Sequence, residues 1–136
     1  MVLCFMEHSQ ELSQYRLQEA ERCQRSAKLL FDADDYKSAA NRSYYCVFNA
    51  IRSILALHGK DFQKHSALIS HFRREYIKNG IFDDKMSDIL RDLFYLRGKS
   101  DYDDFYVVEK QYISEQISNA DYFLEQIKKY LKLEIN

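Results

Sequence analysis

A chain of 136 residues with 20 basic against 21 acidic side chains carries a formal charge of −1. That balance excludes a protein that coats duplex DNA by bulk electrostatics, while leaving room for a local basic patch. Hydrophobic residues at 46% and charged ones at 30% exclude a disordered chain and fit one domain, residues 1–136, with 1–8 as a candidate flexible extension. A domain of this length buries about two thirds of its unfolded surface and stands without staples. The opening MVLCFMEHSQ fits neither a secretory signal nor a transit peptide, and no window approaches the roughly 18 apolar residues of a membrane span. Cys4, Cys23 and Cys46 are an odd set without CxxC spacing, which suits a reducing compartment. A cytoplasmic protein with no membrane partner is expected.

Proline is absent and the glycines are Gly59, Gly80 and Gly98. Each closes a segment of helical periodicity, where a left-handed cap is wanted. The first helix is predicted from about Ser9 to Phe31, with Ala20, Cys23, Ala27 and Leu30 on one face whose small residues permit close helix contact. Asp32, Asp34 and Asp35 then form a turn, one of them capping the next helix. The second helix, Tyr36 to His58, is apolar over a wide arc from Ala40 through Tyr44, Val47, Phe48, Ile51, Ile54 and Leu55, as a central helix should be. Opposite lies a narrower stripe, Arg42, Tyr45, Asn49 and Arg52, a candidate surface for RNA, a nucleotide or a second subunit; a solvated face is the plain alternative. After a short polar connection the third helix runs from about His65 to Lys78, with His65 and Ser66 serving its N-terminus. The fourth starts at an Asp83 or Asp84 cap and stops at Gly98. A loop from Lys99 to Tyr106 precedes the last helix, about Val108 to Leu133, whose Ile113, Ile117, Ala120, Leu124, Ile127 and Leu131 give the clearest amphipathic signal. Strand-like alternation is absent. The expected fold is all-α, an antiparallel up-and-down bundle of four long helices plus a shorter one.

The fourth helix breaks the plain pattern. At about 100° per residue, with Arg97 as zero, Leu90 falls near +20°, Met86 near −20° and Leu93 near −40°. A guanidinium on that stripe is costly unless a carboxylate, a phosphate or a partner chain meets it. Asp101 and Asp103 follow closely. One reading is a structural ion pair that ties down the next loop. The other has Arg97 holding a phosphate or charge developed in phosphodiester cleavage, with Tyr102 stacking on a base or moving a proton.

Other chemistry is poorly supported. Gly98-Lys99-Ser100 lacks the upstream glycine of a P-loop, where Leu93 stands, and lacks its strand. His8, His58, His65 and His71 show no zinc spacing and no nucleophile elbow is present, so neither a metal nor a cofactor is expected.

Taken together, NRSYYCVFNAIRSIL on helix two, KHSALISHF opening helix three and LRGKSDYDDF after helix four resemble the HEPN superfamily of small all-helical proteins. The likeness is to its branch with a tyrosine pair and an R-x-x-x-D-Y motif, and it covers about Arg22 to Leu131. The resemblance implies a homodimer whose arginine motifs meet across a cleft. It also implies metal-independent ribonucleases acting as toxins or defence effectors, often paired with a minimal nucleotidyltransferase. Arg97 matches the arginine of the family's R-x(4–6)-H motif; the histidine is missing, positions 102 to 104 being Tyr, Asp and Asp. The reading drawn is an RNA- or nucleotide-binding component of a toxin–antitoxin or defence pair. In its enzymatic version Arg97 steadies the phosphate, Asp101 orients Arg97, and Tyr102 with Arg42, Tyr45, Asn49 and Arg52 contacts RNA. The competing version is a non-catalytic dimeric interaction module in which the Arg97 motif is structural.

Overall fold

The computed structural model describes residues 2–102 and 109–135. Helices α1 (Val2–Asp32), α2 (Tyr36–Leu57), α3 (His65–Phe72), α4 (Asp84–Tyr102) and α5 (Lys110–Ile135) follow one another, and no strand occurs among the described residues. The all-α bundle expected from periodicity is the fold. None of these helices is long and apolar enough to cross a membrane.

The centre of the bundle is α2, which packs on α1, α4 and α5. Its contact with α1 is the most extensive of all, because both faces are built from small residues. Ser13, Ala20, Cys23 and Ala27 of α1 are buried, as are Ala39, Ala40, Ser43, Cys46, Ala50 and Ser53 of α2. Small side chains let two backbones approach closely, so the predicted close contact is present. Gln24 crosses from α1 to α5, its Nε2 donating to the Ile117 carbonyl at 2.8 Å and to Asp121 Oδ1 at 2.9 Å. At the far end an aromatic cluster of Phe72, Tyr76, Phe82, Phe123 and Tyr130 closes the core.

The helix ends follow local chemistry. Asp35 caps α2 by accepting from the Ser38 amide at 3.3 Å, and Asp83 accepts from Met86 at 3.3 Å at the start of α4. Gly59 at φ 65° and Gly80 at φ 80° take the left-handed conformation that ends a helix cheaply. Gly98 does not: α4 runs through it to Tyr102, which corrects the expected stop. One glycine inside a helix costs only about 1 kcal/mol, and nearby packing overrides it. Arg97 and Asp101 therefore lie on one continuous helix rather than across a helix end. Helix α1 also begins earlier than the expected Ser9, at Val2.

Helix three holds a further departure. Past Phe72 it widens into a π-turn, Arg73–Ile77, closed by the Lys78 amide on the Arg73 carbonyl at 2.9 Å. The wide turn buries Tyr76 and Ile77 side by side. It also aims Arg73 at α4, where Nε donates to Ser87 Oγ and Nη2 to the Ser87 carbonyl, both at 3.1 Å.

Candidate functional site

The end of the bundle where α2, α4 and the start of α3 meet carries most of the residues singled out from sequence. On α4, Met86, Leu90 and Leu93 are buried, and Arg97 continues their stripe to the edge of the core, half-buried. There its guanidinium lies over two rings of α2. The carbon Cζ is 5.3 Å from the Tyr44 ring centre and 5.8 Å from that of Tyr45, and Nη2 donates to the Tyr45 hydroxyl at 3.4 Å. Cation–π attraction of this kind offsets part of the desolvation cost of a half-buried guanidinium.

Tyr45 also meets a second cation, Arg42, whose Cζ is 5.2 Å from its ring centre. Arg42 is itself held by Asn41, with Nε and Nη2 donating to Oδ1 at 3.1 and 2.6 Å. One tyrosine thus lies between two guanidiniums from different helices. Asn49 donates from Nδ2 to the Tyr45 carbonyl at 2.9 Å and approaches Cys23 Sγ at 3.9 Å, so it stiffens the helix beneath the ring. Arg52, farther along α2, lies 5.8 Å from the Phe48 ring centre and forms an ion pair with Asp61 at 3.0 Å. The structure brings Arg42, Tyr45 and Arg97 into direct contact, and sets Asn49 and Arg52 along the same side of α2. Asp101 and Tyr102 belong to the last turn of α4, but their side chains, with Asp103 and Asp104, lie outside the described residues.

Three residues of this cluster escaped the sequence reading in this role: Tyr44, Phe48 and His65. The histidine is carried in by the α2–α3 connection, which Gly59 turns back on itself with the Lys60 amide on the Leu55 carbonyl at 3.0 Å. Asp61 anchors that connection, pairing with Arg52 and with Arg16 at 3.8 Å and accepting from the Phe62 amide at 2.8 Å. As a result the His65 ring stacks on Phe48 at 4.0 Å between centres, inclined by 26°. Its Nδ1 is 2.8 Å from the Tyr44 hydroxyl. It stands edge-to-face with Tyr45 at 6.0 Å. Burial, then the charges of Arg97 and Arg52, push the imidazole below its usual pKa, so it is neutral at pH 7. The adjacent Tyr44 and Tyr45 in the sequence were the available signal; helical spacing assigned the first to the core and said nothing of what it would bond.

Beside the cluster, a cleft of about 650 Å³ opens between α3 and α4, with Arg73, Arg91, Phe94, Tyr95 and Lys99 among its lining. Phe94 joins the two, its ring 6.2 Å from that of Tyr44. Among the described residues, no group of three or more His, Cys, Asp or Glu side chains is placed to hold a metal ion.

The tyrosine pair of α2 and the arginine of α4, two parts of the motif resemblance, thus lie together, and the family itself is given by comparison with protein-family models. The model of the HEPN domain matches residues 13–130. The chain belongs to the HEPN domain family. Among curated HEPN relatives, a UPF0332 protein of Thermotoga maritima is 29% identical over 127 residues, covering 93% of this chain and 96% of its own. A UPF0332 protein of Archaeoglobus fulgidus is 30% identical over 116 residues, covering 83% and 90%. A Methanocaldococcus jannaschii protein named as a candidate toxin is 25% identical over 115 residues, covering 85% and 78%. The matched residues, 13–130, include Arg42, Tyr45, His65 and Arg97.

Proposed function

We propose that this HEPN protein is the toxin-like, RNA-directed half of a toxin–antitoxin or defence pair. It works as a homodimer that binds single-stranded RNA at Arg97 and cuts it without metal, restrained by a small nucleotidyltransferase. The observation that carries the reading is the Arg97 guanidinium held over the Tyr44 and Tyr45 rings, with Arg42 on the same Tyr45. A guanidinium offers a planar fork to phosphate oxygens, and an aromatic ring beside it offers a stacking face to a base. The cleft with Arg73, Arg91, Tyr95 and Lys99 continues the same chemistry and gives a strand somewhere to lie. Membership of the HEPN family and the candidate-toxin naming of a relative support the toxin role; the motif resemblance supports the dimer and the nucleotidyltransferase.

The test is a cleavage assay on unstructured RNA in the presence of EDTA. Wild type shortens the RNA, and Arg97→Ala slows this about 100-fold or more, the usual scale for a lost transition-state charge contact. If wild type binds RNA and leaves it intact, while Arg97→Ala disrupts the dimer, the non-catalytic interaction module replaces this reading.

A further inference from the structure

The sequence around Arg97 supplies no histidine, yet the fold delivers one. We propose that His65, reached from the start of α3, is the proton-transfer residue of the Arg97 site and acts directly on the RNA backbone. This rests on the RNA-cleaving reading above and names the group that performs it.

Cleavage of RNA without a metal needs a group that takes a proton from a 2′-hydroxyl and returns one to the leaving 5′-oxygen near neutral pH. Arginine cannot, since it stays charged, and tyrosine is a fixed phenol in that range. Imidazole changes charge there. His65 is held for this purpose on three sides: stacked on Phe48 at 4.0 Å, edge-on to Tyr45 at 6.0 Å, and 2.8 Å from the Tyr44 hydroxyl through Nδ1. In the tautomer whose Nδ1–H donates to the Tyr44 oxygen, the lone pair that acts as base is on Nε2 of this partly exposed ring. Tyr44 therefore holds His65 through its hydroxyl and carries Arg97 on its ring face, at 5.3 Å. Base and phosphate-holding cation share one side chain as their support.

The 2′-O–H bond breaks, its proton goes to Nε2, and the 2′-oxygen forms a bond to phosphorus whose oxygens Arg97 holds. The P–O5′ bond then breaks, and the 5′-oxygen takes the proton from the imidazolium. The products are a 2′,3′-cyclic phosphate and a 5′-hydroxyl.

The described groups facing His65 are Tyr44, Tyr45, Phe48 and Arg52 from α2 and Arg97 from α4. The two cations and the partial burial hold its pKa below the usual value. Base action thus persists into mildly acidic solution.

The experiment compares full-length wild type, His65→Gln and Tyr44→Phe on a short RNA in EDTA across pH 4.5 to 8. Affinity is measured in parallel on the same oligonucleotide with 2′-deoxy sugars. The proposal predicts a rate that rises through a midpoint below about 6.5, the usual imidazole value. His65→Gln cuts about 100-fold slower or worse, yet binds the deoxy oligonucleotide within about threefold of wild type, a difference of only about 0.7 kcal/mol. Tyr44→Phe, which keeps the ring and removes the hydroxyl, moves the midpoint to lower pH. Cleavage by His65→Gln at the wild-type rate overturns the role of His65 and leaves RNA cleavage standing. Binding without cleavage by wild type at every pH overturns both cleavage claims and leaves RNA binding. Should His65→Gln fail to fold, the wild-type and Tyr44→Phe profiles decide: a flat profile, or a midpoint that Tyr44→Phe leaves in place, overturns the proposal.

Discussion

Arg97 is the residue on which the site turns, and its surroundings explain why an arginine is tolerated at the edge of an apolar stripe. Two tyrosine faces stand beside the guanidinium, and the cation–π attraction offsets part of its desolvation cost. The same charge, together with Arg52 and burial, acts on His65. Burial, Lys60 and Arg74 lower the pKa of His71 in the same way. A histidine whose folded pKa lies below its unfolded value binds fewer protons folded than unfolded in the interval between them. Its contribution to stability is present above about pH 6.5 and is lost as pH falls through the folded value. Urea midpoints measured at pH 7.5 and pH 5 are therefore expected to drop on acidification, and His65→Gln is expected to drop less than wild type. Equal drops in the two proteins would show that the electrostatics of this cluster are misassigned.

At the scale of elements, the sequence reading and the structure part company where local signals are met by long-range packing. The amphipathic faces of α1, α2 and α5 were legible because a 3.6-residue period needs no knowledge of the partner helix. Arg97 was legible for the opposite reason, as a charge out of place in such a period. Tyr44 and His65 were not. An aromatic at helical spacing reads as core, which Tyr44 is at 2% exposure. A histidine opening a helix reads as part of that helix's N-terminus, and only the Asp61-anchored connection places it on Phe48. Gly98 misled because glycine punctuates helices when its φ is positive, a property of the fold and not of the letter. Gly98 is helical, and an added Cβ there meets nothing within 4 Å. Gly98→Ala is accordingly expected to stabilise the protein by about 0.5–1 kcal/mol. Gly80→Ala, at φ +80°, is expected to destabilise it by about 1 kcal/mol, although space is free there too. Chemical denaturation of both variants checks the pair; stabilisation by both would mean that the α3–α4 turn is misdescribed.

The described residues form a helical frame with a cluster of arginines, tyrosines and a histidine at one end. Between the small-residue α1–α2 contact and the aromatic cluster at Phe72, aliphatic side chains such as Ile51, Ile54, Leu68, Met86, Leu93 and Ile113 fill the core. Among the polar links between helices, Gln24 joins α1 to α5. Removing it loses the hydrogen bonds to the Ile117 carbonyl and to Asp121, so Gln24→Ala is expected to cost about 1–3 kcal/mol, a large share of the roughly 5–15 kcal/mol of a domain. RNA affinity per folded molecule is expected to stay unchanged, since the hydrogen bonds of Gln24 run to α5 and not to Tyr45 or Arg97. With an overall charge of −1, the RNA binding proposed above would draw on the local arrangement of Arg42, Arg97 and the cleft rather than on the protein's field at large. The most direct measurement is a titration of a labelled single-stranded RNA with wild type and Arg97→Ala at fixed, near-physiological salt, fold verified by circular dichroism. The account predicts binding by wild type that weakens at least tenfold, about 1.4 kcal/mol, in the variant; equal affinity in the two, or no binding by wild type, contradicts it.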